Sequence, residues 1–209
     1  MAVLVVGWVL FALMPVQLGA QSSATASRKV LPEPRKEDSF AVNRALFEAA
    51  KAGDILNMEK LVRAGAALNS KIPGDGSPLI AAAGNDRLGA VRWLLDHGAD
   101  PNMPVPGDGS PLIVAARLGY IDVLRALLDG GASINQIVLG DENALIQASG
   151  GGHLEAVKLL VSRGADSHVR VWVEEAGEHK GEWRSPLSVA RQNGHSDVAN
   201  YLLSIGVHE

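Results

Sequence analysis

The chain has 209 residues, of which 47% are hydrophobic and 20% charged, and its formal net charge is −4. This balance is typical of a soluble globular protein, and it argues against the concentrated Lys/Arg patch of a nucleic-acid-binding protein. The absence of cysteine excludes disulfide frameworks, thiolate zinc sites and cysteine nucleophiles.

The first predicted element is an apolar segment at residues 1–20. Residues 2–27 carry no charge, and residues 2–14 are all apolar or glycine. Small residues before Gln21 predict a secretory signal peptide cleaved after Ala20, and so an exported, periplasmic or secreted protein. Because the positive charges follow the apolar run instead of preceding it, an uncleaved membrane anchor over residues 1–20 is the alternative.

Residues 21–38 are rich in Ser, Pro, Glu and Lys, and no apolar residues recur there at helical spacing. This composition predicts a flexible linker. The next segment, Phe40–Ala52, is predicted to be a helix that begins at Asp38 or Ser39.

From residue 39 onward the sequence repeats itself every 33 residues. The step is kept by Gly-Ala pairs, by leucines and by alanines. It predicts units at residues 39–72, 73–105, 106–138, 139–171 and 181–209, with an insertion at 169–184. The residues in register are Gly65, Gly98, Gly131 and Gly164; Leu79, Leu112 and Leu145; and Ala82, Ala115 and Ala148.

Each unit contains the signals of a helix pair. Ser77 can cap a helix whose first residue is Pro78, and Leu79 with Ala82 then places small apolar groups on one face. A glycine such as Gly119 can end that helix in a left-handed conformation. Since one helix pair cannot bury its apolar face alone, stacked pairs are predicted to share an elongated core.

The repeat resembles the ankyrin repeat family. The residues that carry this resemblance are Ser-Pro-Leu-Ile at Ser77 and Ser110, a Gly-His step at Gly152 and Gly194, and the Gly-Ala pairs. The resemblance implies an all-α solenoid of about five helix-turn-helix units with β-hairpin fingers. It also implies a monomeric, non-enzymatic protein that binds a partner protein through its fingers and concave helix face, without cofactor, metal or nucleic acid. Asp86 departs from the family pattern, which has glycine between the two helices.

The segment Pro-Gly-Asp-Gly-Ser-Pro-Leu-Ile occurs twice, at Pro73 and at Pro106. It lacks the lysine of a phosphate-binding loop and the third glycine of a dinucleotide-binding loop. Asp75-Gly76 and Asp108-Gly109 are therefore predicted to form hairpin turns.

The six histidines do not have the spacing of a metal site, and no nucleophile motif is present. His153 and His195 are predicted to act as local turn or cap groups. Trp93 is predicted to pack between repeats. We expect no catalytic, cofactor-binding or metal-binding residues.

The insertion departs from the repeat. Val169, Val171 and Val173 alternate with polar or aromatic residues, which predicts a strand, and folding about the centre sets Trp172 opposite Trp183 and Glu175 opposite Lys180. We predict an elongated hairpin, named the finger, that contacts a partner through tryptophan. The alternative is that the two rings only hold the hairpin together.

The candidate partner-binding residues lie on the finger, on the hairpin turns and on one first helix; they are Trp172, Trp183, Arg170, Arg184, Arg117, Asp108 and Asp141. A second hypothesis rests on the segments DENALI and EWRSPL, which look like the repeat tails of bacterial membrane-bound zinc peptidases of the antirepressor type. The chain would then be a detached regulatory tail. A third hypothesis is a purely structural spacer.

Overall fold

A computed structural model describes residues 36–105, 107, 109–138, 142–174 and 181–208. These residues belong to one compact unit, Pro34–Glu209, whereas a second unit, Met1–Glu33, lies outside them. In chain order the described elements are α1 (Lys36–Ala52), α2 (Ile55–Arg63), α3 (Pro78–Gly84), α4 (Leu88–Asp96), α5 (Pro111–Leu118), α6 (Ile121–Asp129), α7 (Ala144–Gly150), α8 (Leu154–Ser162), β1 (Val171–Glu174), β2 (Gly181–Arg184), α9 (Pro186–Gln192) and α10 (Ser196–Ser204).

The helices form two layers. Each first helix of a unit packs on the next first helix, in the order α1, α3, α5, α7, α9, and the second helices α2, α4, α6, α8 and α10 form the other layer. The two helices of each unit also contact each other. The predicted all-α repeat solenoid is therefore confirmed.

The first helices begin where the sequence places their caps. Ser77 Oγ accepts a hydrogen bond from the Ile80 backbone N–H at 3.2 Å, and Ser110 and Asn143 cap α5 and α7 in the same way. Ser185 forms a capping box with Ser188, in which each side chain accepts from the other residue's backbone N–H. These bonds satisfy backbone donors that a helix N-terminus otherwise leaves unpaired.

The hairpin turns precede these caps. The Ile72 backbone N–H donates to the Gly76 carbonyl at 2.7 Å, and Val105 with Gly109 and Val138 with Glu142 form the equivalent bridges. The predicted turn at Asp75-Gly76 is confirmed. Gly109 closes its turn as predicted, whereas Asp108 lies outside the described residues.

The turn between α3 and α4 is made without glycine. Asp86 has φ +56°, close to the +71° of Gly119 at the same position of the next unit. Aspartate tolerates the left-handed region better than most residues. Asp86 therefore replaces the glycine of the family pattern, as expected, and the turn keeps the same conformation.

The first helix starts earlier than expected. α1 begins at Lys36, so Asp38 and Ser39 lie inside the helix instead of capping it, and the last three residues of the predicted linker are helical. The nearest preceding proline is Pro34, and residues 36–52 contain none. Every residue of α1 therefore has the backbone N–H that a helix requires.

One continuous core runs between the two layers. Leucine, valine and alanine side chains from every unit contribute to it, and Leu46, Ala82, Leu127, Leu160 and Leu202 have no exposed surface. Trp93 packs against this core, and its ring stacks on His97, at the end of the same helix, with the ring centroids 3.9 Å apart. The small core residues let neighbouring helices approach closely.

Residues 1–20, the predicted signal peptide or membrane anchor, lie outside the described residues. So do Asp141, the Glu175–Lys180 pair and the predicted turn at residues 176–179. Among the helices of residues 36–208 that the structure describes, none combines the length and the apolar character required to cross a bilayer.

Candidate partner-binding surface

The first helices and the hairpin turns together form one surface, which we name the first-helix face. Two hollows open on it. One, of about 300 Å³, is lined by residues of the first three units, including Lys51, Asp75 and Asn85; the other, of about 220 Å³, is lined by residues of the last three units, including Gln147 and Asn193. Arg117 lines both hollows and therefore lies at the centre of this face.

Arg117 lies in the last turn of α5 and is exposed. Its backbone carbonyl accepts a hydrogen bond from His153 Nε2 at 2.9 Å, which fixes the end of this helix to the next unit. Within the part of the chain that the structure describes, its guanidinium makes no hydrogen bond or ion pair. The positions 33 residues before and after it are Gly84 and Gly150, so the equivalent positions of the neighbouring first helices carry no side chain.

Glu142 and Arg184 connect a hairpin turn to the finger. Arg184 Nη1 donates to Glu142 Oε1 at 3.2 Å, and Arg184 Nε donates to Glu182 Oε1 at 2.6 Å. The hydrogen bond to Glu182 holds the pKa of Arg184 above its usual range, although burial acts in the opposite direction, and the hydrogen bond to Glu142 adds to the upward shift. The predicted site residue Arg184 is thus engaged within the molecule and orients the finger.

Glu142 has two properties that are unusual for a glutamate. It is only 6% exposed, and its φ of +61° lies in the left-handed region. Its position in the repeat is occupied by Gly76 and Gly109 in the two preceding turns. A buried carboxylate in a strained backbone persists when surrounding contacts over-determine it. Gln147 Nε2 supplies another such contact, donating to Glu142 Oε2 at 3.3 Å.

The finger is an antiparallel hairpin. Val171 pairs with Arg184, Trp172 with Trp183, and Val173 with Glu182, which confirms the predicted tryptophan pair. The two indole rings meet edge to face with centroids 5.5 Å apart. Since side chains alternate across a strand, the tryptophans point away from the face that carries Arg184 and contacts Glu142.

Both tryptophans are open to solvent. Trp172 is 47% exposed and Trp183 is 60% exposed. The backbone of Gly181 lies under the Trp172 ring, so a Cβ added there would be 2.7 Å from an indole carbon and in conflict with the Val173 carbonyl. The Trp172 ring therefore packs against the backbone of its own hairpin while about half of the residue stays exposed to solvent.

The other predicted site residues are dispersed. Arg170 is exposed and directly precedes β1. Asp108 and Asp141 lie outside the described residues. The structure thus brings Arg117, Arg184 and the hollow between them together, while Trp172 and Trp183 lie on the opposite side of the finger.

The histidines join neighbouring units and are not local caps, which corrects the prediction. His153 and His195 stand at helix N-caps without a side-chain capping bond; instead, each donates from Nε2 to a carbonyl of the preceding unit, at Arg117 (2.9 Å) and Gly150 (3.0 Å). Arg87 makes the same kind of connection to the Lys51 carbonyl at 3.2 Å. An orphan carbonyl at a helix C-terminus is the natural acceptor for such a bond.

A row of asparagines, which is not among the predicted site residues, also joins the units. Asn69 accepts from the Asp100 backbone N–H, Asn102 from that of Ser133, and Asn135 from that of Asp166, at 2.6–2.9 Å. These asparagines are 33 residues apart. The step that defined the repeats was therefore sufficient to find them.

Among the described residues, no group of three or more His, Cys, Asp or Glu side chains could hold a metal ion. The chemistry available on the first-helix face is that of recognition: the exposed guanidinium of Arg117, amide side chains and, on the finger, two aromatic rings. Arginine and tryptophan are enriched among the residues that dominate binding energy in protein interfaces.

Comparison with known families agrees with this architecture. Residues 46–138 match a family model described as ankyrin repeats (3 copies), and residues 141–171 match one described as ankyrin repeat. A search of curated proteins finds no match. Together the two family matches span more than half of the chain, and the helix pairs recur at the matched period. The chain therefore belongs to the ankyrin repeat family.

Proposed function

We propose that this protein is a non-enzymatic binding scaffold that holds a partner protein against the first-helix face and the finger. Ankyrin repeats are generally protein–protein interaction modules. The observation that carries the proposal is the exposed Trp172–Trp183 pair. Two large aromatic rings lie on the side of the finger that faces away from the repeats, and their exposed surface would be buried in a complex.

The pair also has a structural role, and an experiment has to separate the two roles. Edge-to-face aromatic pairs contribute about 0.5–1.5 kcal/mol beyond the area that they bury. The variant W172T/W183T removes both rings but keeps residues that suit a strand. We expect it to unfold at slightly lower urea concentration and to lose capture of the partner from an envelope fraction.

The matched control is Leu56→Ala, because Leu56 is 71% exposed on α2, away from the finger. It should capture the partner as the wild type does. If W172T/W183T captures the same protein at the same level, the finger is only a structural hairpin and the proposal fails. If no specific protein is captured even by the wild type, the spacer hypothesis is favoured instead.

We further propose that residues 1–20 direct the protein out of the cytoplasm. The charge-free apolar run before Gln21 supports this. The intact mass of the expressed protein tests it: a mature N-terminus at Gln21 is expected. A chain that retains residues 1–20 in the membrane fraction would favour an anchored protein, and with it the hypothesis of a regulatory tail of a zinc peptidase.

A further inference from the structure

Around the two hollows, the acidic side chains are paired with arginines, but two basic side chains have no acidic partner among the described residues. Asp75 borders the first hollow and accepts a hydrogen bond from Arg44 Nη1 at 2.6 Å. Glu142 borders the second hollow and accepts one from Arg184 Nη1. Each bordering carboxylate is thus held by an arginine other than Arg117. Lys51 and Arg117 remain as exposed cations without an acidic partner among the described residues. A protein with net charge −4 therefore carries unmatched positive charge at the centre of this face.

Hydrogen-bond acceptors flank Arg117 on both sides. Asn85 donates from Nδ2 to the Ala81 carbonyl, and Asn193 donates from Nδ2 to the Gly150 carbonyl, both at 2.8 Å. These bonds fix the two amides so that each Oδ1 is available as an acceptor. Asn85 lines one hollow and Asn193 the other. The face therefore presents an acceptor, a guanidinium and an acceptor in a row.

This order fits an extended peptide with an acidic side chain. Backbone N–H groups of such a peptide can donate to the two asparagine oxygens, while a carboxylate accepts two parallel N–H bonds from the guanidinium. Packed helices lie about 8–10 Å apart. Asn85 follows α3, the neighbour of α5, and is therefore about three residues of extended chain from Arg117. Asn193 follows α9, two helices from α5, and is therefore about five to six residues away. The hollows beside Gly84 and Gly150 leave room for the side chains that flank the acidic residue.

We infer that the first-helix face binds an extended segment of the partner that places an Asp or Glu carboxylate on Arg117. This inference rests on the proposed function and names the partner's chemistry. Positive charge on a protein that is acidic as a whole favours acidic segments over basic ones and makes their binding sensitive to salt.

Thirteen-residue peptides with Glu, Gln, Lys or phosphoserine at the centre, otherwise identical and uncharged, test the inference against the full chain by fluorescence anisotropy. We expect the Glu peptide to bind at least about tenfold more tightly than the Gln peptide, a ratio within reach of one desolvated charge pair. Arg117→Gln should abolish this ratio, Arg117→Lys should retain part of it, and Arg117→Glu should shift the preference to the Lys peptide.

Arg125→Gln is the matched control, because Arg125 is exposed on α6, in the other helix layer, and the substitution removes the same charge. It should leave the preference for Glu unchanged. Equal binding of the Glu and Gln peptides to the wild type overturns the inference, as does a preference for Glu that survives Arg117→Gln. Tighter binding of the phosphoserine peptide than of the Glu peptide would also overturn it, in favour of a phosphorylated partner.

The same variants distinguish failure of this inference from failure of the proposed function. If Arg117→Gln captures the native partner normally while W172T/W183T does not, the scaffold function stands and the carboxylate anchor is wrong. If both variants capture it normally, neither surface binds the partner and both proposals fail. Denaturation midpoints of all variants exclude loss of folding as the cause.

Discussion

Arg184 and Glu142 are 42 residues apart in sequence, yet the guanidinium of the first meets the nearly buried carboxylate of the second at 3.2 Å. The contact crosses the boundary between the fourth turn and the finger. It is therefore the interaction that fixes the direction in which the finger leaves the repeats.

Removing Arg184 from this pair should cost more than removing Glu142. Arg184→Ala removes one cation from a buried carboxylate, and we expect a loss of about 1–2 kcal/mol in unfolding free energy, moderated because Arg184 is partly exposed. Glu142→Gly removes that carboxylate and also relieves the left-handed strain of about 1–2 kcal/mol. Urea denaturation should place Glu142→Gly within about 1 kcal/mol of wild type.

The double variant E142G/R184A should be no less stable than R184A alone. Arg163→Ala provides a control, since its pair with Asp129 is exposed and should contribute less than about 1 kcal/mol. A larger cost for Glu142→Gly than for Arg184→Ala would contradict this account of the pair.

Gly119 should tolerate alanine less well than Gly131. Both have positive φ, but a Cβ on Gly119 would lie 2.6 Å from His153 Nδ1, whereas a Cβ on Gly131 meets nothing within 4 Å. We expect Gly131→Ala to cost about 1–2 kcal/mol and Gly119→Ala at least about 1 kcal/mol more. In a His153→Ala background the additional cost should disappear. Thermal unfolding of the four variants measures this, and equal costs at the two glycines would refute the steric explanation.

Asn102→Ala should loosen the contact between the second and third units. Asn102 donates from Nδ2 to the Gly131 carbonyl at 3.1 Å and accepts from the Ser133 N–H at 2.6 Å. Losing both bonds should cost about 1–2 kcal/mol, and hydrogen exchange of the Ser133 amide should become faster. Asn135→Ala, which removes one such bond, should have a smaller effect. Unchanged exchange at Ser133 would show that this row of asparagines does not join the units.

Asp86 offers a stabilising substitution. Its φ of +56° favours glycine, so Asp86→Gly should gain about 0.5–1 kcal/mol, while Asp86→Ala should lose about as much. Calorimetric melting temperatures should follow the order Gly, Asp, Ala. An alanine variant as stable as the glycine variant would mean that the turn relaxes to another conformation.

The sequence was sufficient for the helix pairs because their determinants are local. Ser77, Ser110 and Asn143 each cap the helix that follows within the same unit, and the 33-residue step repeats this arrangement. The tryptophan pair followed from alternation within one short segment. In each case the partners are close in sequence or related by a fixed spacing.

Contacts between units were harder to predict. The roles of His153 and His195 depend on a carbonyl 36 or 45 residues away, and a cap position alone does not reveal that partner. Glu142 stands at a position where the two preceding turns have glycine, but its burial and its contact with Arg184 of the finger cannot be read from that position. The bonds of Asn69, Asn102 and Asn135 could have been found, since all three share the repeat step.

The finger begins and ends at one place, because Val171 and Arg184 are partners in the same register. Its length can therefore change without moving Ser185, the cap of the last unit. Closing a longer loop between fixed ends costs little, about 0.6 kcal/mol for each doubling of its length. This makes the finger a site where evolution, or a protein engineer, can replace the binding segment while the solenoid that carries it stays the same.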